Sequence, residues 1–505
     1  MELDKILLLI ISIFGVEDYS DNLFLLLDEK KIILLISFSL IFFILLTYLL
    51  LVLIKNFKIV KIYISKFISA EVLFFDKILY SKFYLLLVFP LALNLYLIIT
   101  LPITYDEAWT YNNFISKGLL VSVSYYPMPN NHVLYNAISS IINLFFNSNS
   151  IYIFRLISCF FYILSIYVFL KILLLRGKKF LKLNYLILSL APLTLITIYQ
   201  SSLARGYSLL LFLFLICILI LISIAKKDKF YKWVCWAFFT SLCFFSNPAY
   251  FYTHLVICLI IFLFIQNSFK NLVIGNALSF IFTVFLYSPI IIFQGFDFLL
   301  KIKTTDELSY PNYFKHIFEI LERDMLGLSI YFISFLFLIS IIYLYFSKQK
   351  NLFFISIILI LIPLLIPFFQ NSIAPARIFI IFYFFYMCLI LLPLENYLSK
   401  FNKNKIILIS LLLQVIFSGH VLSKMPHEKY SEYSEDLSLK ILSNNKNYFF
   451  CSDKNDPLIP TLLKYYQTKF KIKKIVINKL NKKNCNFLDY NNYDWVLIDK
   501  KIDIT

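Results

Sequence analysis

What most narrows the folds open to this chain is a succession of apolar runs, each about 17 to 25 residues long and bounded by charge. A run of that length crosses a ~30 Å hydrocarbon core as a helix, and in lipid a helix satisfies its own backbone polar groups. The runs fall near 32–54, 83–101, 151–175, 183–199, 206–225, 232–247, 249–265, 272–294, 329–347, 352–370, 376–398 and 405–423. Twelve spans are therefore expected. The composition agrees, with 61% hydrophobic and 15% charged residues against ~25% charged in a soluble domain. The expected class is an all-α polytopic membrane protein; soluble multidomain, collagen, coiled-coil, disordered and secreted disulfide classes are excluded. The stretch 6–27 is interrupted by Glu17, Asp18 and Asp21. It reads as a surface or interfacial helix, with a thirteenth span as the alternative, and not as a cleaved signal peptide.

The net charge of +18 reports topology rather than nucleic acid. Alternate loops hold twenty Lys and Arg residues, including Lys55–Lys82, Arg176–Lys182, Lys226–Lys232 and Lys400–Lys405, while the opposite loops between spans hold seven over a greater length. Positive charge marks the cytoplasmic side. The expectation is a transmembrane domain over 1–423, with an outer loop at 102–150, a second at 295–328 and an extracytoplasmic tail over 424–505. Between Lys55 and Lys82, basic residues interleave with Ile, Val, Tyr and Phe, as in a cytoplasmic helix lying on the membrane. The tail has 15 Lys against 10 Asp plus Glu and abundant Asn. Strands are expected at 447–452, 474–478 and 494–499 and a helix at 457–467, making a small α/β domain. Six of eight cysteines sit inside apolar runs; Cys451 and Cys485 lie in the tail, where a disulfide is one reading in an oxidising compartment.

Chemistry gathers on the outer side. Thr104, Tyr105, Asp106, Glu107, Ala108 and Trp109 follow directly on a span, so two adjacent carboxylates sit at the interface. A carboxylate there can act as a general base or orient a hydroxyl; the plainer reading is solvated acid at a helix end. The loop continues through Tyr125, Tyr126, Asn130, Asn131 and His132 into an amphipathic run, 133–146, too short to cross and expected to lie along the interface. His132 could contact phosphate, bind a metal or shuttle a proton, or simply pack. Arginine is scarce: 42 Lys but only Arg155, Arg176, Arg205, Arg323 and Arg377. Four of the five fall on the outer side, against the positive-inside trend. Guanidinium binds phosphate as a fork, and the alternative is pairing with Asp106, Glu107 or Glu322. With Trp109, Tyr125, Tyr126 and Tyr207, these groups suit a phosphate-linked lipid donor.

The set Asp106-Glu107, Asn130-Asn131-His132 with Leu134 and Tyr135, Arg155, and Ala204-Arg205-Gly206-Tyr207 resembles the glycosyltransferase C superfamily. The branch it is most similar to holds the protein O-mannosyltransferases and the bacterial lipid A aminoarabinose transferase. The likeness covers about 130 residues well. It implies a multi-pass enzyme of the bacterial inner membrane that inverts configuration while moving a sugar from a polyprenyl-phosphate donor to an outer-face acceptor: glycolipid, glycan or protein. On this resemblance Asp106 is the catalytic carboxylate supported by Glu107. Arg205, Arg377 and Arg155 meet the donor phosphate, and His132, Asn131, Tyr207 and Trp109 meet substrate. The family's His-Pro-Pro pattern is His132-Val133-Leu134 here, and an extra span precedes the carboxylates. Some relatives use a divalent metal; no compact ligand set is visible, so none is assigned. A lipid-linked oligosaccharide flippase or a glycan ligase or polymerase is the alternative, but the charges cluster at one interface and no repeated half is seen.

Overall fold

The computed structural model describes residues 71–424 apart from 77, 127–131, 147–149, 176, 178–179, 266–268, 296–321, 323–328 and 371–379. It also describes Ser69 and, in the tail, three strands with Thr461, Leu462, Tyr465 and Tyr466; for 330, 362–370 and the strands it describes the backbone only. Expectations for 6–27 and 32–54, for Asn131 and Arg377, and for a Cys451–Cys485 disulfide lie outside the described residues.

The bundle is helical. In chain order it comprises α1 (Tyr84–Thr100), α2 (Tyr105–Asn113), α3 (Leu119–Ser124), α4 (Val133–Phe146), α5 (Ile151–Leu174), α6 (Leu181–Leu190), α7 (Leu195–Ser202), α8 (Tyr207–Lys226), α9 (Phe230–Ser246), α10 (Tyr250–Phe264) and α11 (Phe269–Gln294). Then follow α12 (Ile330–Phe346), α13 (Lys350–Gln370), α14 (Ile380–Leu391), α15 (Glu395–Leu398) and α16 (Lys403–Lys424). Among the described residues five helical segments are long and apolar enough to cross a membrane, or up to seven if each of two bent pairs is one span. That is fewer than the twelve runs of the sequence: the run 32–54 lies outside the described residues, and several others form shorter helices, such as α10 with 15 residues.

The bundle buries a set of polar residues within an apolar core and exposes large apolar residues on its outside. Asn94, Ser158, Ser201, Ser202 and Gln414 are buried, whereas Phe262, Phe280, Ile281, Leu408 and Leu412 are exposed. In water such a surface would drive aggregation; lipid solvates it, and small polar residues let helices approach and bond across. The interior hydrogen bonds follow from specific sequence breaks. Pro90 in α1 has no N–H, which frees the Leu86 carbonyl four residues earlier, and Gln414 Nε2 of α16 donates to that carbonyl at 2.8 Å. Asn94, one turn beyond Pro90, donates to Ser201 and Ser202 of α7 at 2.5 and 3.1 Å. The pair α6 and α7 is bent by 55° where the 3-10 turn Ala191–Leu193 interrupts it. The Pro192 carbonyl in that turn accepts from Tyr162 at 2.9 Å.

Lysines collect at one end. Lys171 of α5 and Lys226 of α8 lie in the last turns of helices whose other ends carry Arg155 and Tyr207. Lys232 Nζ caps α8, donating to the Ser223 and Lys227 carbonyls at 2.5 and 2.8 Å, where cations complement a helix C-terminus. At the same end the helix Glu71–Ser81 turns by 93° from α1. Its Glu71 is hydrogen-bonded to Lys171 and Tyr167 of α5, while Val72, Leu73, Phe75 and Tyr80 are exposed. In the tail, β1 (Tyr448–Ser452) pairs in parallel with β2 (Ile477–Asn481) and β3 (Trp495–Ile498), in the order β2-β1-β3. The second strand begins three residues later than expected.

Gln414→Ala should leave the Leu86 carbonyl without its donor and cost about 1 kcal/mol or somewhat more. A lowered midpoint of thermal unfolding in detergent, against an unchanged midpoint for lipid-facing Leu412→Ala, checks it.

Candidate functional site

The site is built around the first turn of α2. Thr104 caps the helix: its hydroxyl accepts from the Glu107 N–H at 3.3 Å, and the Thr104 N–H donates to Glu107 Oε2 at 3.0 Å. This reciprocal capping box fixes where the helix starts. It also divides the two adjacent carboxylates, because successive helical residues point about 100° apart. Glu107 faces inward and Asp106 faces the site.

Glu107 meets Arg155, in the second turn of α5. Arg155 Nε donates to Oε1 at 2.8 Å and Nη2 to Oε2 at 2.7 Å, the two-pronged geometry of a strong charge pair. Both side chains have no solvent exposure. The remaining guanidinium N–H groups donate to the Ile98, Leu101 and Pro102 carbonyls at 2.9, 2.7 and 2.9 Å. These carbonyls end α1 and lack helical partners. All five N–H groups of Arg155 are thus engaged within the protein. The phosphate contact expected for it is not what the structure shows; the pairing with Glu107 is. Glu107 in turn receives five donors, the last being the Ala204 N–H at 2.7 Å.

That last bond anchors the loop between α7 and α8. Ser158, one turn beyond Arg155 on α5, donates to the Arg205 carbonyl at 2.9 Å, and Ser246 of α9 donates to the Gly206 carbonyl at 3.3 Å. Arg205 is thereby aimed back at α2. Its Nη2 stands 3.3 Å from Asp106 Oδ2, and its Nη1 donates to the Asp106 carbonyl and to Thr110 Oγ1 at 3.3 and 3.2 Å. Unlike the Glu107 pair, this one opens outward: the Asp106 side chain is 29% exposed and that of Arg205 4%. Beside Asp106, half-buried Tyr105 and Trp109 place their rings 6.0 Å apart on the same face of α2.

His132 and Tyr207 lie deeper than a substrate contact requires. Both are buried, their rings edge to face at 4.4 Å, and His132 Nδ1 is 3.2 Å from the Ser246 carbonyl. A bond to that carbonyl puts the proton on Nδ1. Gly206 is required at this point by close approach, since a Cβ there would stand 2.8 Å from His132 Cβ. His132 therefore braces the Arg205 loop from behind. Of the residues expected at the site, Asp106, Glu107, Arg155, Arg205, His132, Tyr207 and Trp109 come together; Asn131 and Arg377 lie outside the described residues.

Sequence reasoning missed Thr104, Thr110, Ser158 and Ser246. The Thr104-x-x-Glu107 spacing is a capping-box signal, whereas Ser158 and Ser246 carry no local one. Burial pushes the Tyr111 hydroxyl of α2 up to about 12, so it is a neutral phenol at physiological pH. Among the described residues no group of three or more His, Cys, Asp or Glu could hold a metal ion. Glu107, with its oxygens already taken, does not fit as a cation ligand beside Asp106. No protein-family model matches the chain, and no curated protein matches it.

Arg155→Met should strand Glu107 as an uncompensated buried charge and cost about 3–5 kcal/mol, read as loss of monodisperse protein after mild heating. Gly206→Ala should force His132 aside at about 1–3 kcal/mol. A smaller Gly206→Ala loss in a His132→Ala background, in a double-mutant cycle, checks that the clash is with this side chain.

Proposed function

We propose that the chain is an integral membrane glycosyltransferase of about twelve spans with the glycosyltransferase C architecture and a small α/β tail domain. It moves a sugar from a polyprenyl-phosphate donor to a glycolipid, glycan or protein acceptor at the outer face of the bacterial inner membrane. The observation that carries the reading is the unequal treatment of two adjacent carboxylates: Glu107 is sealed in the protein, and Asp106 is left half-open beside a guanidinium and two aromatic rings. The end of the bundle that holds them is opposite the lysine-rich end, which supports an extracytoplasmic site.

In the reaction an acceptor hydroxyl attacks the anomeric carbon of the donor. The bond from that carbon to the phosphate oxygen breaks, its electron pair leaves with polyprenyl phosphate, and the hydroxyl proton passes to Asp106. Arg205 is suited to two tasks in turn. It orients the Asp106 carboxylate in the resting protein, and through the same Nη2 it can turn to a phosphate as negative charge develops, the kind of stabilisation that contributes most to such reactions. Its 3.3 Å contact with Asp106 is longer than the 2.7 Å contact inside the Glu107–Arg155 pair, so it is the pair with room to rearrange. The Tyr105–Trp109 ledge offers an apolar face on which a sugar ring can stack. Arg155 and Glu107 hold α2 against α5 and the α7–α8 loop, and make no contact with substrate.

Asp106→Asn should abolish transfer, a loss on the order of 10²-fold or more, with expression and thermal stability kept. Mass spectrometry of glycolipids, envelope glycans and surface proteins from parent, deletion and Asp106→Asn cells checks it. One sugar missing from both altered strains supports the assignment and names the acceptor. Full transfer by Asp106→Asn would sink it, and accumulation of lipid-linked oligosaccharide would point to a flippase or ligase.

A further inference from the structure

The tail returns to the site. Asn112, in the last turn of α2, donates from Nδ2 to the Thr461 carbonyl at 3.0 Å, across 349 residues of sequence. Tyr465 sets its ring edge to face with Tyr111 of α2 at 5.4 Å, and its hydroxyl is hydrogen-bonded to the backbone of Ile151, the first residue of α5. Leu462, Tyr465 and Tyr466 are almost wholly buried, in the same core cluster as Tyr111 and Ile151. Tyr465 therefore touches α2 and α5, the two helices that Glu107 and Arg155 join.

This placement matters because of what α2 is. It has nine residues, too few to be stable alone. Its first turn is tied by Glu107, and its middle by Arg205, which donates to Thr110. Its last turn is held by the tail, through Asn112 and Tyr111. Tyr105 and Asp106 adjoin the first fastening and Trp109 lies between it and the last, and these three residues make up the half-buried face turned to the site.

We propose that the tail turn bearing Thr461 and Tyr465 is a clamp on α2, and that Tyr465 is a positioning residue for Asp106. The tail domain is then an integral part of the site, and anything that lifts it disorders the carboxylate. The consequence for transfer rests on the function proposed above; the clamp itself does not.

The test uses the full-length protein in lipid nanodiscs. Asp106→Cys is labelled with a water-soluble maleimide, with and without Tyr465→Ala, while Lys227→Cys at the far end of α8 serves as reference. Tyr465→Ala should change the labelling rate at position 106 by about fivefold or more and at 227 by less than about twofold, since loosening at one end is local. Tyr465→Phe, which keeps the ring on Tyr111, should restore most of the parent rate. Equal rates at 106 with and without Tyr465→Ala overturn the clamp. Should Tyr465→Ala not fold, Asn112→Ala removes the other fastening and is read the same way. With Asp106 in place, Tyr465→Ala should lower kcat for sugar transfer about tenfold or more at unchanged donor KM, as misplacement of a reacting group does. An unchanged kcat overturns the positioning role. A shifted labelling rate in a parent that transfers no sugar upholds the clamp and removes the glycosyltransferase reading alone.

Discussion

A guanidinium carries five N–H groups, and inside a lipid-embedded bundle each must meet an acceptor, because no water is there to substitute. Arg155 meets all five in one place: two carboxylate oxygens of Glu107 and three backbone carbonyls at the end of α1. A buried ion pair is weak evidence of net stability, since desolvation opposes it. Its value here is in direction. The same residue ends one helix, holds the capping residue of the next and leaves Glu107 one oxygen lone pair for the Ala204 N–H of a third element. Three segments far apart in the chain are thereby fixed relative to one another, and the other site contacts are built on that arrangement.

From it follows the division between the carboxylates. A capping box needs Glu or Gln at the third helical position, and the box is filled by Glu107. The residue before it then has no choice but to point away from the core, toward the side where the α7–α8 loop delivers Arg205. That delivery depends on small residues, with Ser158 and Ser246 holding the loop backbone and Gly206 giving His132 the space to pack behind it. A larger residue at any of these positions would shift the guanidinium before it touched the carboxylate. The exposed pair is adjustable because the buried pair is not.

Much of this was legible in the sequence and some was not, for reasons that differ residue by residue. Apolar runs are legible because membrane thickness imposes a length, and the helices found within 84–101 and 151–424 fall on the expected runs even where they are shorter, whereas α2 and α3 lie in the segment expected as an outer loop. Asp106, Arg205 and Arg155 stood out because charge is costly near lipid and arginine is rare in this chain. Pairing of Arg155 with Glu107 was one of the readings the sequence allowed, whereas its three other acceptors are backbone carbonyls, which carry no residue signature. Pro90 is visible as a break in α1, but nothing local ties it to Gln414, 328 residues away, which repairs the carbonyl it frees. His132 was conspicuous for its rarity and turned out to be packed, since rarity marks constraint and does not say whether the constraint is chemical or steric.

The contact between the tail and α2 has the same character. Asn112 and Tyr111 look like ordinary polar and aromatic residues of a short helix, and Thr461 offers only its carbonyl. What gives them weight is the brevity of α2. A long membrane helix is held in place by its apolar surface and by neighbours along its length; a nine-residue helix that buries only Ala108 and Tyr111 as apolar side chains has much less of both. It must be fastened at both ends to present a side chain in a fixed direction. The first fastening uses charge and is made within the bundle as it packs. The second uses an amide and two phenol rings, and comes from a segment 349 residues further along the chain. A site assembled this way is incomplete until the tail has folded back onto the bundle, so that the orientation of Asp106 depends on an amide contact and a ring contact that carry no charge.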